Sequence, residues 1–209
     1  TIPLTALSVA GLSNAYNMTD GIDGLAASTI ALPLLALYCL AIDNRHPEAD
    51  FLMLMLIPLG VFLIFNLGPN NNLLPKVFLG DGGSITLGFL VTASLVHFSQ
   101  GDWAIIEPVT ALWMVTVPLM DMLATMLRRY RSGRKVMDAD RSHLHHTLMD
   151  MGFTPRQTLT ILVVYATGGI AVGLALEAVA AYVSLAIYFL VFGLHCAFVL
   201  DLLSIQSRE

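Results

Sequence analysis

The chain has 209 residues, 56% of them hydrophobic and only 12% charged, with a formal net charge of -5 and a mean hydropathy of +0.76. Soluble domains carry about 25% charged residues, so half that, in long apolar runs, excludes an ordinary soluble domain and points to a polytopic membrane protein. Cys39 and Cys196 both sit inside apolar runs and read as small hydrophobes, which implies neither a disulfide nor a cysteine metal site.

In chain order, the sequence opens at Thr1 with no basic segment ahead of a short apolar core, so no cleavable signal is visible. Ile2–Ser13 is apolar but too short to cross a bilayer, and reads as the end of a span whose start is missing. Six apolar runs follow: Ala26–Ile42, Phe51–Leu67, Ser84–Ser99, Ala104–Leu127, Thr158–Leu176 and Ala181–Leu200. Each is close to the ~17–25 residues that a membrane helix needs. Pro33, Pro58 and Pro118 fall inside runs, where neighbouring helices tolerate a kink. The expected fold class is all-α: a polytopic helical bundle of six complete spans plus a truncated first one. Residues 1–209 are expected to form one N-terminally incomplete domain, and the sequence shows no internal repeat or low-complexity tract.

Two spans separate each polar segment from the next. Residues 14–24, 68–83 and 128–157 and the C-terminal tail therefore fall on one face, and Asp43–Asp50, Gln100–Trp103 and the turn at Glu177 on the other. Nine of the ten basic residues lie on the first face and only Arg45 on the second. The positive-inside rule makes the first face cytoplasmic.

The first polar segment contains Asn17-Met18-Thr19-Asp20-Gly21-Ile22-Asp23-Gly24. On a helical turn, Asn17, Asp20 and Asp23 would share a face, and the two glycines would admit a ligand or another backbone. Helix capping is the alternative, although these residues outnumber the needs of one cap. The second segment contains Phe78-Leu79-Gly80-Asp81-Gly82-Gly83-Ser84. A glycine turn feeding a helix N-terminus suits phosphate. Asp81 would repel phosphate unless a divalent cation stood between them. Asp81 or Ser84 could also simply cap the following span, and Asn70–Asn72 read as turn residues.

The third segment carries seven basic and three acidic residues over Arg128–Gln157, and groups His143, His145 and His146 within four positions. Membrane-edge anchoring accounts for Arg128, Arg129 and Arg131. The histidines alone are a weak metal signal; beside Arg141, contact with phosphate oxygens is the better reading. His46 falls in a loop on the opposite face, and His97 and His195 read as packing or interfacial residues. Asp121, an acid within a span, is either functional or paired with Arg128 seven residues on. Acids, a cation-binding aspartate and a basic histidine cluster at one membrane edge suit phosphoryl transfer between a soluble phosphorylated donor and a lipid phosphate.

These three motifs, with Pro118-Leu119-Met120-Asp121-Met122 and Met151-Gly152-Phe153-Thr154-Pro155-Arg156-Gln157, resemble the polyprenyl-phosphate N-acetylhexosamine-1-phosphate transferases. The match runs in order through nearly the whole chain. The Arg141–Gln157 pattern is similar to the branch that uses UDP-N-acetylglucosamine and undecaprenyl phosphate. The relative that transfers phospho-MurNAc-pentapeptide usually has three consecutive histidines, which this chain lacks. The resemblance implies an integral enzyme of the bacterial inner membrane, with its active site on the cytoplasmic face, that starts cell-envelope polysaccharide synthesis such as lipopolysaccharide O-antigen. Lipid phosphate would attack the β-phosphorus of the UDP-sugar and release UMP, with Mg²⁺ or Mn²⁺ as cofactor.

By motif position, the resemblance makes Asp81 the metal ligand and stacks Phe78 on uracil. Asp23, Gly21 and Asn66 would line the nucleotide pocket, with Asn17 in the same binding segment. Asp20 would support that pocket or the catalytic centre. His143, His145, His146 and Arg141 would contact donor phosphates or sugar. The expected partners are the UDP-sugar, a polyprenyl phosphate and the bilayer, with a homodimer as a family-level expectation and no nucleic acid. The family also has an adjacent-aspartate motif at the end of an earlier span, and nothing before Asn14 is acidic. The chain is therefore expected to be a C-terminal portion, catalytically incomplete as given. A non-catalytic scaffold that still binds nucleotide is the main alternative. A transporter would instead place its polar groups near the bilayer midplane.

Overall fold

The computed structural model of the protein describes residues 2–133 and 143–206, and among these all regular structure is helical. The helices are α1 (Ile2–Thr19), α2 (Leu25–Asp43), α3 (Ala49–Asn66), α4 (Gly80–Phe98), α5 (Pro108–Met114), α6 (Thr116–Arg131), α7 (Leu144–Asp150), α8 (Pro155–Ala175) and α9 (Ala181–Gln206). The all-α, multi-pass membrane reading holds, with fewer helices that qualify as spans by length and composition than the six expected runs. Four described helices are long and apolar enough to cross a bilayer: α2, α3, α8 and α9 over Ala181–Val199. The α5–α6 pair would make a fifth.

Two physical causes account for the difference. The helix α4 starts at Gly80, so its first turns are Gly80-Asp81-Gly82-Gly83-Ser84 and its apolar stretch is short. The expected run Ala104–Leu127 is broken at Val115, where α5 and α6 meet at an 80° bend. Pro118 has no amide hydrogen to donate to the carbonyl four residues back, so a continuous helix would lose a bond there. Thr116 Oγ1 donates instead to Trp113 O (2.6 Å), and the ladder restarts with Leu119 N to Val115 O (3.0 Å).

The largest core cluster joins Tyr16 of α1, Ile30, Leu34 and Leu37 of α2, Leu52 and Leu59 of α3, and Val91 and Leu95 of α4. Outward faces stay apolar, as with Leu54, Ile57 and Ile64 on α3 and Phe189, Leu190 and Leu194 on α9. Such faces match lipid rather than water. The α5–α8–α9 interface is more polar than the sequence suggests. Trp113 Nε1 donates to Ser184 Oγ (3.0 Å), and Tyr165 Oη lies 3.3 Å from His195 Nδ1.

The helices α1 and α4 pack closely because Ser84, Gly88 and Thr92 form a buried stripe of small residues on α4. A Cβ at Gly88 would lie 2.9 Å from Ser13 Cα and 3.2 Å from Tyr16 Cβ, so only glycine permits this approach. Gly88→Ala is expected to cost about 1–3 kcal/mol of overpacking and to lower the unfolding midpoint in detergent. Gly60→Ala, where nothing lies within 4 Å of the added carbon, is the control expected to be tolerated. Equal effects of the two substitutions would contradict this packing.

Candidate active site

The three polar segments meet at one end of the bundle. The helix α1 stops at Thr19, and Asp20–Gly24 form a turn closed by Gly21 N to Thr19 O (2.8 Å) and Leu25 N to Ile22 O (3.2 Å). Only Asn17 is helical; Asp20 and Asp23 lie in the turn, so the shared helical face is replaced by a loop. Nor do these residues cap α2. Its N-cap is Gly24, in the left-handed conformation (φ 74°) and without a side-chain cap bond.

Asn17 and Asp23 each connect to the second segment. Ser84 Oγ donates to Asn17 Oδ1 (2.7 Å), and Lys76 Nζ pairs with the Asp23 carboxylate. The loop between α3 and α4 is shaped by its asparagines, as expected. Asn71 Oδ1 accepts from Leu73 N and Leu74 N, and Asn70 Oδ1 accepts from Lys76 N (3.2 Å). Asn66 Nδ2 donates to Val77 O (2.8 Å), while its Oδ1 is buried without a partner.

The loop delivers an exposed Phe78 ring, with Lys76 Nζ 5.7 Å from its centroid, and then Gly80 at φ 66°. Asp81 follows in the first turn of α4. Neither Asp81 nor Ser84 serves as its cap; that position is Leu79, without a side-chain cap bond. Asp81 is therefore an exposed acid beside free helix-terminal amides.

The third segment arrives through α7. Its His145 ring is buried over Gly21, where an added Cβ would lie 2.0 Å from Nε2. The space that Gly21 leaves open is thus filled by another motif's side chain. Burial pushes the His145 pKa down to about 4, with the neighbouring His146 acting in the same direction. His145 is therefore neutral near pH 7 and contributes packing rather than charge. Its ring lies 6.0 Å from that of His143 and 4.2 Å from that of His146, centroid to centroid. Arg141 lies outside the described residues.

Two basic residues to which the sequence reading assigned no site role enter the site. Lys76 and Arg156 line one cleft with Asp23 and Asn66. The segment that delivers Arg156 is largely a helix start. Thr154 and Gln157 form a reciprocal capping box on α8, with Pro155 at its first position. A T-x-x-Q ahead of an apolar run could have revealed this from sequence alone.

The acids are close enough to affect one another. Asp20 has its pKa pushed up to about 6, first by burial, then by the charges of Asp81 and Asp23. Excess negative charge of this kind suits a divalent cation. Among the described residues no three His, Cys, Asp or Glu side chains converge to hold a metal by themselves. Mg²⁺ does not require them, because it keeps waters and binds through one or two carboxylates and substrate phosphates.

With this geometry in place, comparison with known proteins identifies the relatives. Residues 1–99 match glycosyl transferase family 4. The chain is 37% identical over 196 residues to the undecaprenyl-phosphate alpha-N-acetylglucosaminyl 1-phosphate transferase of Escherichia coli (strain K12), covering 92% of this chain and 53% of that protein. The Salmonella typhi protein of that name is 37% identical with the same coverage. The Yersinia pestis protein of that name is 36% identical over 197 residues, again 92% of this chain and 53% of the relative. The resemblance read from the motifs is borne out. The chain spans about half the length of these curated relatives.

The raised Asp20 pKa has a consequence for stability. Protonated Asp20 favours the fold, so its contribution is complete below the ordinary value of 3.8 and is lost as pH rises through about 6. Without added divalent cation, Asp20→Asn is expected to raise the unfolding midpoint at pH 7–8 and to be nearly neutral near pH 4. A destabilised Asn variant at pH 7–8 would contradict the crowding of these acids.

Proposed function

We propose that the protein transfers N-acetylglucosamine-1-phosphate from a UDP-sugar to undecaprenyl phosphate at the cytoplasmic face of the bacterial inner membrane, releasing UMP. The observation that carries this reading is the meeting of three motif segments at one end of the bundle. It rests on the Asn17–Ser84 bond, the Asp23–Lys76 pair and the seating of His145 on Gly21. The relatives' names supply the sugar and the lipid.

In the proposed reaction, an oxygen of the lipid phosphate forms a bond to the β-phosphorus of the donor. The bond from that phosphorus to the bridging oxygen breaks, and UMP departs with the electron pair. Phe78 offers an exposed face on which uracil stacks. Asp23, Asn66, Lys76 and Arg156 line the adjoining cleft, where the two cations attract the diphosphate. Asn66 Oδ1, buried without a partner, suits a uracil or ribose donor. Asp81, with Asp20 beside it, would hold Mg²⁺ or Mn²⁺, which would supply charge neutralisation to the diphosphate.

Direct tests are nucleotide binding and product formation. Asp23→Ala and Phe78→Ala are each expected to weaken UDP binding about tenfold, the scale of one stacked base or one charged contact, by titration calorimetry. Unchanged binding in both would displace the pocket. With membranes holding the complete encoded protein, UMP release from UDP-N-acetylglucosamine should require undecaprenyl phosphate and Mg²⁺ or Mn²⁺, and should fall at least about a hundredfold in Asp81→Asn. Nucleotide binding without any transfer would favour a non-catalytic scaffold.

A further inference from the structure

Asp121 is buried in α6, and its carboxylate is engaged at both oxygens by the segment that starts α7. Oδ1 accepts from Leu144 N (2.8 Å), and Oδ2 lies 3.0 Å from His143 Nδ1. His143 is itself buried. These contacts resolve the alternatives left by the sequence toward a role for Asp121 at the histidine segment.

A carboxylate only accepts hydrogen bonds, so the Nδ1 facing it carries the ring hydrogen. Where the ring holds that single hydrogen, Nε2 is unprotonated. The ring partner thus sets which nitrogen is available for chemistry. His143 sits two residues from His145, the ring seated on Gly21 between Asp20 and Asp23. Through this chain of contacts, α6 is tied to the turn that carries the acids.

We propose that Asp121 is a positioning residue that fixes His143 in its Nδ1–H tautomer, so that Nε2 meets a bound substrate as a proton acceptor. The inference rests on the transferase reading for its catalytic meaning, but the tautomer follows from contacts within the chain. It also changes what His143 does. A neutral ring held this way cannot donate to a phosphate oxygen; it accepts from an O–H or N–H group.

The contacts make Asp121→Asn a sharp test. Leu144 N–H can only donate, so the new amide must turn its oxygen toward Leu144. Its NH₂ then faces His143 Nδ1, which must become an acceptor, and the hydrogen moves to Nε2. The substitution nearly preserves shape and reverses the tautomer.

The experiment uses ¹⁵N-histidine-labelled protein in nanodiscs, with long-range ¹H–¹⁵N spectra. The His143 peaks are those missing in His143→Gln. The unsubstituted protein should show the Nδ1–H pattern for His143, and Asp121→Asn should show the Nε2–H pattern. In the complete encoded protein, Asp121→Asn should lower kcat at least about a hundredfold while leaving the KM for UDP-N-acetylglucosamine within about twofold. A neutral Nε2–H ring or a doubly protonated ring in the unsubstituted protein at pH 7–8 overturns the proposal, and that measurement does not depend on Asp121→Asn folding. An unchanged tautomer or unchanged kcat in Asp121→Asn also overturns it. Tautomer reversal in a protein with no transferase activity at all would overturn the proposed function and leave the Asp121–His143 assignment standing.

Discussion

Gly88 lets α1 lie so near α4 that an added Cβ would sit 2.9 Å from the Ser13 backbone. One turn along α4, Ser84 uses that proximity to bond Asn17, and α1 ends two residues later. The turn carrying Asp20 and Asp23 is thereby held beside the helix start carrying Asp81. Without this approach, two acidic segments 57 positions apart in sequence, counted from Asp81 back to Gly24, would have no fixed relation. Helix association in lipid depends on such close packing, because apolar side chains gain little by leaving lipid for one another.

The same packing creates an electrostatic load that the rest of the site answers. Asp20 is crowded by two like charges, while Asp23 has Lys76 against it. Arg156 approaches the same cleft from the start of α8, whose capping box and proline fix where that helix begins. Acids and cations are thus kept in adjoining subsites rather than fully neutralised against each other. A diphosphate bound with a divalent cation presents the complementary pattern. The histidine segment is held from two sides, by Asp121 through His143 and by Gly21 beneath His145. His143 and His145 are therefore both engaged within the protein.

Much of this was legible in the sequence. The apolar runs located α2, α3, α8 and α9, and counting spans placed the polar segments on one face, where their contacts are found. The resemblance covered the motifs in order. What escaped depended on contacts between distant residues or on helix-end detail. A count of apolar residues cannot tell that α4 begins inside its polar turn, or that the chain bends 80° ahead of Pro118. Asp121 was weighed against Arg128 because helical periodicity reveals only neighbours on the same helix; its histidine partner lies 22 residues on, beyond the end of α6. Lys76 was read through sidedness alone and Arg156 only as part of a motif without an assigned role, which hid their place in the cleft. The glycines were read correctly as sites of close approach, but the groups that approach are Leu67 at Gly24 and His145 at Gly21.

The central claim is that one donor nucleotide touches all three segments. Photolabelling with UDP-N-acetylglucosamine analogues that carry an azide on the uracil or on the sugar, followed by peptide mapping, tests it most directly. The account predicts labelled peptides from the Asp20–Gly24 turn, from Asn66–Ser84 and from His143–Gln157, all suppressed by excess UDP. Labelling confined to one segment, or found instead at the opposite end around His46 and Trp103, would contradict it.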